Sequence, residues 1–253
     1  MPVGLINKYK EFIKNRQKKN IARNLKLIQN PKAIKEDRFA AIHFFCDLED
    51  IETAVSSLLK RFEYSLEHGI NDTREKELAM QGIIDHGKGS LPCILKHLQQ
   101  TTKIAWPLKV YQKLGTEQEL IKALDSCLNY GDVSFDQKLI DKNYDILCYL
   151  RDYKLPDNGE KYFHFLDEHD ERLRFAATEV LLDQENEEVY VQLEKYLLDD
   201  SAENIRLLQA IASKFVQLNR VIKNKENFKV GPLAPGFSVA KDYTLKETRI
   251  KDF

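Results

Sequence analysis

The sequence predicts an all-α protein: an α-solenoid of about five to six antiparallel helix pairs, ending in a short irregular or hairpin tail. Three observations lead there. Ten Gly and seven Pro make up only about 7% of the 253 residues, against an average near 12%, too few for the many tight turns of a sandwich or barrel. Charged residues at 31% and apolar residues at 43% are too mixed for a membrane protein and too apolar for general disorder. A short string, with the helical pattern around it, also recurs along the chain.

In chain order, residues 1–30 read as a basic amphipathic helix. Leu5, Ile6, Tyr9, Phe12 and Ile13 form one apolar face, ringed by Lys8, Lys10, Lys14, Arg16, Lys18 and Lys19, and Ile21, Leu25 and Ile28 continue an i, i+4, i+7 stripe. Lys8, Lys10 and Glu11 interrupt the apolar positions of Met1–Ile13, so no signal-peptide core is present. No stretch reaches the ~20 apolar residues of a membrane span. The expected location is cytoplasmic. The basic helix has three readings: a cap on the end of the stack, a contact to an anionic membrane or nucleic acid, or a contact to a protein partner.

The repeat occupies 31–216. Arg38-Phe39-Ala40-Ala41 recurs as Arg174-Phe175-Ala176-Ala177, each preceded by acids and followed by apolar residues at helical spacing; Asn204-Ile205-Arg206-Leu207-Leu208 is a weaker third copy. Paired alanines let a neighbouring helix come close. After the first copy, Asp47–Asp50 turn the chain, and Ile51, Val55, Leu58, Leu59 and Phe62 make a second helical stripe. Further helices are expected near 73–86 and 90–100, with Ser90 as N-cap and Pro92 in the first turn. Helices near 103–114 and 116–129 follow, Thr116 and Glu119 forming a capping box. Another pair is expected near 134–152 and 158–167, broken by Leu155-Pro156-Asp157-Asn158. Past the second copy, Asp183–Glu188 turn into a helix carrying Val189, Leu193, Tyr196 and Leu197. First helices thus start near 36, 73, 103, 136, 170 and 204. In the tail, 217–253, Gly231, Pro232, Pro235 and Gly236 break any helix, and alternation around Lys241-Asp242 suggests a small hairpin.

A helix-turn-helix period of this length with an acid–Arg–apolar–Ala–Ala opening resembles the HEAT-repeat family, above all its short, PBS-lyase-like variant. The likeness covers about residues 31–216. It rests on Asp37-Arg38-Phe39-Ala40-Ala41, Glu171-Arg172-Leu173-Arg174-Phe175-Ala176-Ala177 and Asn204-Ile205-Arg206. Ile104-Ala105-Trp106-Pro107-Leu108 departs from the pattern in lacking an acid–Arg pair. The tail string from Leu233 to Val239 is similar to the ending of bacterial HEAT proteins. The resemblance implies Asp and Arg side chains stacked in ladders between repeats, and a concave face lined by second helices. Some members of the family are DNA glycosylases, and the short repeats take their name from bilin attachment enzymes.

The charge is uneven. Residues 1–35 hold ten bases and one acid, 160–203 fourteen acids and four bases, and 204–253 ten bases and four acids, although the whole chain is at −1. The acidic stretch points to a partner with a basic surface. No GxxxxGK[ST], GxGxxG, HExxH or GxSxG string occurs. The cluster Asp167–Glu171 reads as a solvated turn with an N-cap, and Cys46, Cys93, Cys127 and Cys148 as small buried apolar residues. No enzyme activity, cofactor or metal is therefore expected. The leading function is a protein-interaction scaffold. Its partner-contact candidates are Lys60, Lys96, Glu187, Glu188 and Glu194 on second helices, with Trp106 as an anchor or a space filler. The alternative is a DNA-glycosylase-like, nucleic-acid-binding protein using the basic N-terminus, against which an isoelectric point near 6.6 argues.

Overall fold

The computed structural model describes residues 3–131, 136–157, 159–198, 201, 204–234 and 236–248, with side chains from residue 11 onward. Two compact units emerge from the contacts, one ending at Cys127 and the other beginning at Leu128.

The first unit holds α1 (Val3–Ile28), α2 (Lys35–Cys46), α3 (Ile51–Leu59), α4 (Gly69–Asp85), α5 (Leu91–Gln100), α6 (Ala105–Leu114) and α7 (Glu117–Cys127), with a 3-10 turn at Lys60–Glu63 prolonging α3. Contacts run α2–α4–α6 on one side and α3–α5–α7 on the other, while α2 packs on α3 and α6 on α7. First helices therefore lie against first helices and second against second. Ala41, Ile42, Phe45, Val55, Leu58, Ile83, Ile94 and Leu108 fill the space between the layers, none of them exposed. Gly82 permits the close approach of α4 to α2, because a β-carbon there would strike the Cys46 side chain. Thr116 and Glu119 form the expected reciprocal box: the Thr116 amide donates to the Glu119 carboxylate at 2.7 Å, and the Glu119 amide donates to Thr116 Oγ1 at 3.3 Å.

The second unit holds α8 (Gln137–Leu150), a 3-10 segment Glu160–Asp167, α9 (Glu171–Leu182), α10 (Glu187–Leu193) with a 3-10 continuation to Leu198, and α11 (Ile205–Gln217). Here α8, α9 and α11 pack in series, and the 160–167 segment backs onto α9. Asp170 caps α9 by accepting from the Arg172 and Leu173 amides, and Asn186 caps α10 in the same way.

Several expectations are corrected. The chain is mostly helical, as the all-α reading expects, but its tail holds a three-stranded sheet in place of the one expected hairpin: β1 (Gly231–Ala234), β2 (Phe237–Val239) and β3 (Leu245–Glu247) run antiparallel in that order. The expected hairpin is β2–β3; β1 was hidden behind two helix breakers, which an edge strand tolerates. Ser90 does not cap α5. It is buried, its backbone is already helical, and its hydroxyl donates to the Ile83 carbonyl at 3.2 Å. The helix expected at 158–167 is a 3-10 run, entered through Gly159 at φ +78°. Tyr162 and Phe165 still both reach the core, since residues three apart eclipse in that geometry. Among the four cysteines only Cys127 is fully buried.

Candidate interaction surfaces

An ionic cluster in the first unit ties α2, the end of α3 and α4 together. Glu75, with no exposure, lies between two guanidinium groups: Arg38 Nε is 3.1 Å from both of its oxygens, and Arg61 Nε is 2.7 Å from Oε2. Arg61, itself fully buried, reaches Asp72 at 2.7 Å, and Asp72 accepts from Lys76 at 2.6 Å and from the Leu66 amide at 3.0 Å. Burial pushes the Asp72 carboxyl up, but the hydrogen bonds from Lys76 and Arg61 outweigh it and hold the group below its ordinary value. Charges sequestered like this are costly alone and stable only as a complete set. The cluster is a staple between successive helix pairs.

Arg38 has a second task. Its Nη1 donates to the Ala33 carbonyl, five residues back, and to the Pro31 carbonyl at 3.3 Å. Arg174 does the same in the second unit, donating from Nη1 to the His169 carbonyl, again five residues back, at 2.9 Å and to the Glu168 carbonyl at 2.7 Å. The two copies of the recurring string thus hold the entry loops of their own helices by one device.

The acidic stretch is partly neutralised from within its own unit. Arg206 pairs with Glu171 at 3.0 Å and lies 4.8 Å over the Phe175 ring; Arg172 pairs with Asp170 at 2.9 Å and, outside the stretch, with Asp141 at 3.0 Å, and lies 5.6 Å over the Tyr144 ring. Lys214 meets Asp183 at 3.4 Å, Arg151 meets Glu179 at 3.1 Å, and Glu187 takes both Arg220 and Lys223. Part of the charge contrast between 160–203 and 204–253 is therefore internal complementarity, through Glu171, Asp183 and Glu187. Exposed acids with no ion pair among the described residues include Glu160, Glu185 and Glu188.

The six contact candidates fall differently. Glu188 is exposed; Glu187 is exposed but already paired. Glu194 is a correction: it is only 2% exposed, and it accepts from the Lys223 amide at 2.7 Å, the Asn224 amide at 2.9 Å and Asn224 Nδ2 at 2.8 Å. Its carboxylate ends the orphaned donors of the strand-ward loop, so it is unavailable to a partner. In the first unit Lys96 is exposed and Lys60 half-buried. Trp106 is half-buried, stacked on Phe62 at 5.9 Å with Lys109 4.9 Å from its ring, beside a groove of about 270 Å³ lined also by Glu77, Met80, Gln112 and Lys113. Among the described residues no group of three His, Cys, Asp or Glu side chains is placed to hold a metal.

Sequence reasoning missed the length of α1 left bare. All residues from 11 to 20 are exposed, Phe12 at 63% and Ile13 at 47%. Among residues 11–28 only Ile21, Asn24, Leu25, Leu27 and Ile28 are shielded, where α1 meets α2 and α3. The signal was there in the pattern: the stripe Ile21, Leu25, Ile28 is centred about a third of a turn from the face of Leu5, Ile6, Tyr9, Phe12 and Ile13. No helix is long and apolar enough to cross a membrane, among the described residues.

No protein-family model, curated protein or solved structure matches this chain.

Proposed function

We propose that this chain is a non-enzymatic interaction scaffold, a HEAT-like α-solenoid whose helix ridges bind a protein with a basic surface. The observation that supports it is one packing unit used in both halves of the sequence: first helix against first helix, entered through the same arginine hook, Arg38 in α2 and Arg174 in α9. Stacked helix pairs of this kind leave extended ridges rather than a closed cleft, which is how repeat proteins bind other chains. Of the exposed acids that internal pairing leaves over, Glu185 and Glu188 stand together at the start of α10, beside the paired Glu187, and form the acidic contact surface of this reading.

The test is a pull-down from native cytosol, with and without nuclease, using the full chain and its Glu185→Lys/Glu188→Lys variant, at low and high salt. A partner lost both in the variant and at high salt supports the reading. Capture indifferent to the variant removes the α10 acids from it, and recovery of nucleic acid alone turns the assignment to the nucleic-acid reading.

A further inference from the structure

We propose that the projecting part of α1 is a membrane-surface element, which lies flat on an anionic bilayer with Phe12 and Ile13 set into the headgroup boundary. This goes beyond the scaffold reading and does not depend on it.

The helix from Val3 to Asn20 is about 27 Å long at 1.5 Å per residue, and none of residues 11 to 20 is covered by the described residues of the chain. At roughly 100° per residue, positions 5, 6, 9, 12 and 13 share an arc about 120° wide. Ile21, Asn24, Leu25, Leu27 and Ile28, the side that packs on the fold, centre about a quarter of a turn away and meet the arc at Leu27. The fold covers that side only from Ile21 onward, so burial of Ile28 does nothing to cover Phe12 or Ile13. Isolated exposed apolar residues are ordinary, but a bare helix that aligns them on one arc needs an apolar phase to meet.

Charge selects which phase. Residues 3–28 hold eight bases, Lys8, Lys10, Lys14, Arg16, Lys18, Lys19, Arg23 and Lys26, against Glu11. Pairing with a second copy would set these cations against one another. A closed protein groove would bury Lys14 and Lys18, which sit on the side away from the apolar arc. A bilayer wets that side, attracts the cations to its anionic lipids and accepts the arc, the combination that defines interfacial helices. Pure phosphate binding would have no use for Phe12 and Ile13.

The experiment is co-sedimentation of the full chain with vesicles of phosphatidylcholine alone or with roughly one third phosphatidylglycerol, at about 0.1 M and about 0.5 M salt. Binding is expected to the anionic vesicles only, weakened by salt, and reduced about tenfold or more by Phe12→Asp/Ile13→Asp. Both sites are bare, so the variant keeps the parent's melting temperature, which verifies that the loss is not unfolding. No binding to anionic vesicles overturns the proposal. So does vesicle binding that the double variant leaves intact, or binding of the parent and the variant alike to a DNA duplex in place of vesicles. A parent dimer dissolved by the same variant overturns it in favour of self-association.

Discussion

Arg38 and Glu75 face each other across the α2–α4 contact, with Arg38 Nη2 2.9 Å from Oε1 and Nε 3.1 Å from both oxygens, both side chains buried. Glu75 is the shared anion of two arginines, so the two ends of this interaction are not equivalent. Glu75→Ala takes from Arg38 its only carboxylate among the described residues and from Arg61, which keeps Asp72, one of two. It is expected to cost about 3–5 kcal/mol, the range for breaking a buried ion pair from one side. Arg38→Ala leaves Glu75 bound to Arg61 and should cost less, about 1–3 kcal/mol. Urea unfolding of the two variants checks the order, and a costlier Arg38→Ala contradicts it.

Acid should loosen the same region. The Asp72 carboxyl is held below its ordinary value, so its contribution to stability is complete above the unfolded-state value near 3.9 and lost as pH falls through the lower folded-state value. Melting temperature should fall steeply below about pH 4, and Asp72→Asn, already weaker at neutral pH, should flatten that slope. Parallel curves for the two proteins in acid would show that other groups control it.

Gly82 marks how tightly α2 and α4 are fitted. Gly82→Ala should destabilise by about 1–3 kcal/mol through overpacking against Cys46, and Cys46→Ala in the same chain should restore part of the loss. Burial, with Asp47 and Asp85 nearby, pushes the Cys46 thiol up to about 11, so slow labelling of Cys46 at pH 8 relative to the unfolded chain reports the same packing. Additive effects of the two substitutions would mean they do not meet.

Glu194 is expected to behave as a structural residue. Glu194→Ala leaves the Lys223 and Asn224 amides without their acceptor, at a cost of about 1–3 kcal/mol. Hydrogen exchange should show lost protection at those two amides, whereas Glu188→Ala, at an exposed site, leaves them unchanged. Equal effects from both substitutions would rule out the anchoring role.

Helix starts expected near 36, 103, 136, 170 and 204 fall at Lys35, Ala105, Gln137, Glu171 and Ile205, and the Thr116–Glu119 box was readable as written. The start expected near 73 lies at Gly69, because no strong N-cap residue sits at that entry to mark it. The hairpin expected around Lys241-Asp242 is the β2–β3 pair.

What the sequence determined alone is therefore local: where helices run, where they break, and which residues repeat. Those signals act within one turn, through periodicity, caps and the conformational limits of Gly and Pro. Tertiary structure alone decided which charges are spoken for. Glu194 looked exposed from its helix position and is buried because the chain past Val221 folds over it. The acidic stretch looked like a binding face, yet its partners arrive from segments some thirty residues on, as in Glu171 with Arg206. Pairing and burial depend on atoms brought together from far along the chain, and no local pattern encodes that distance.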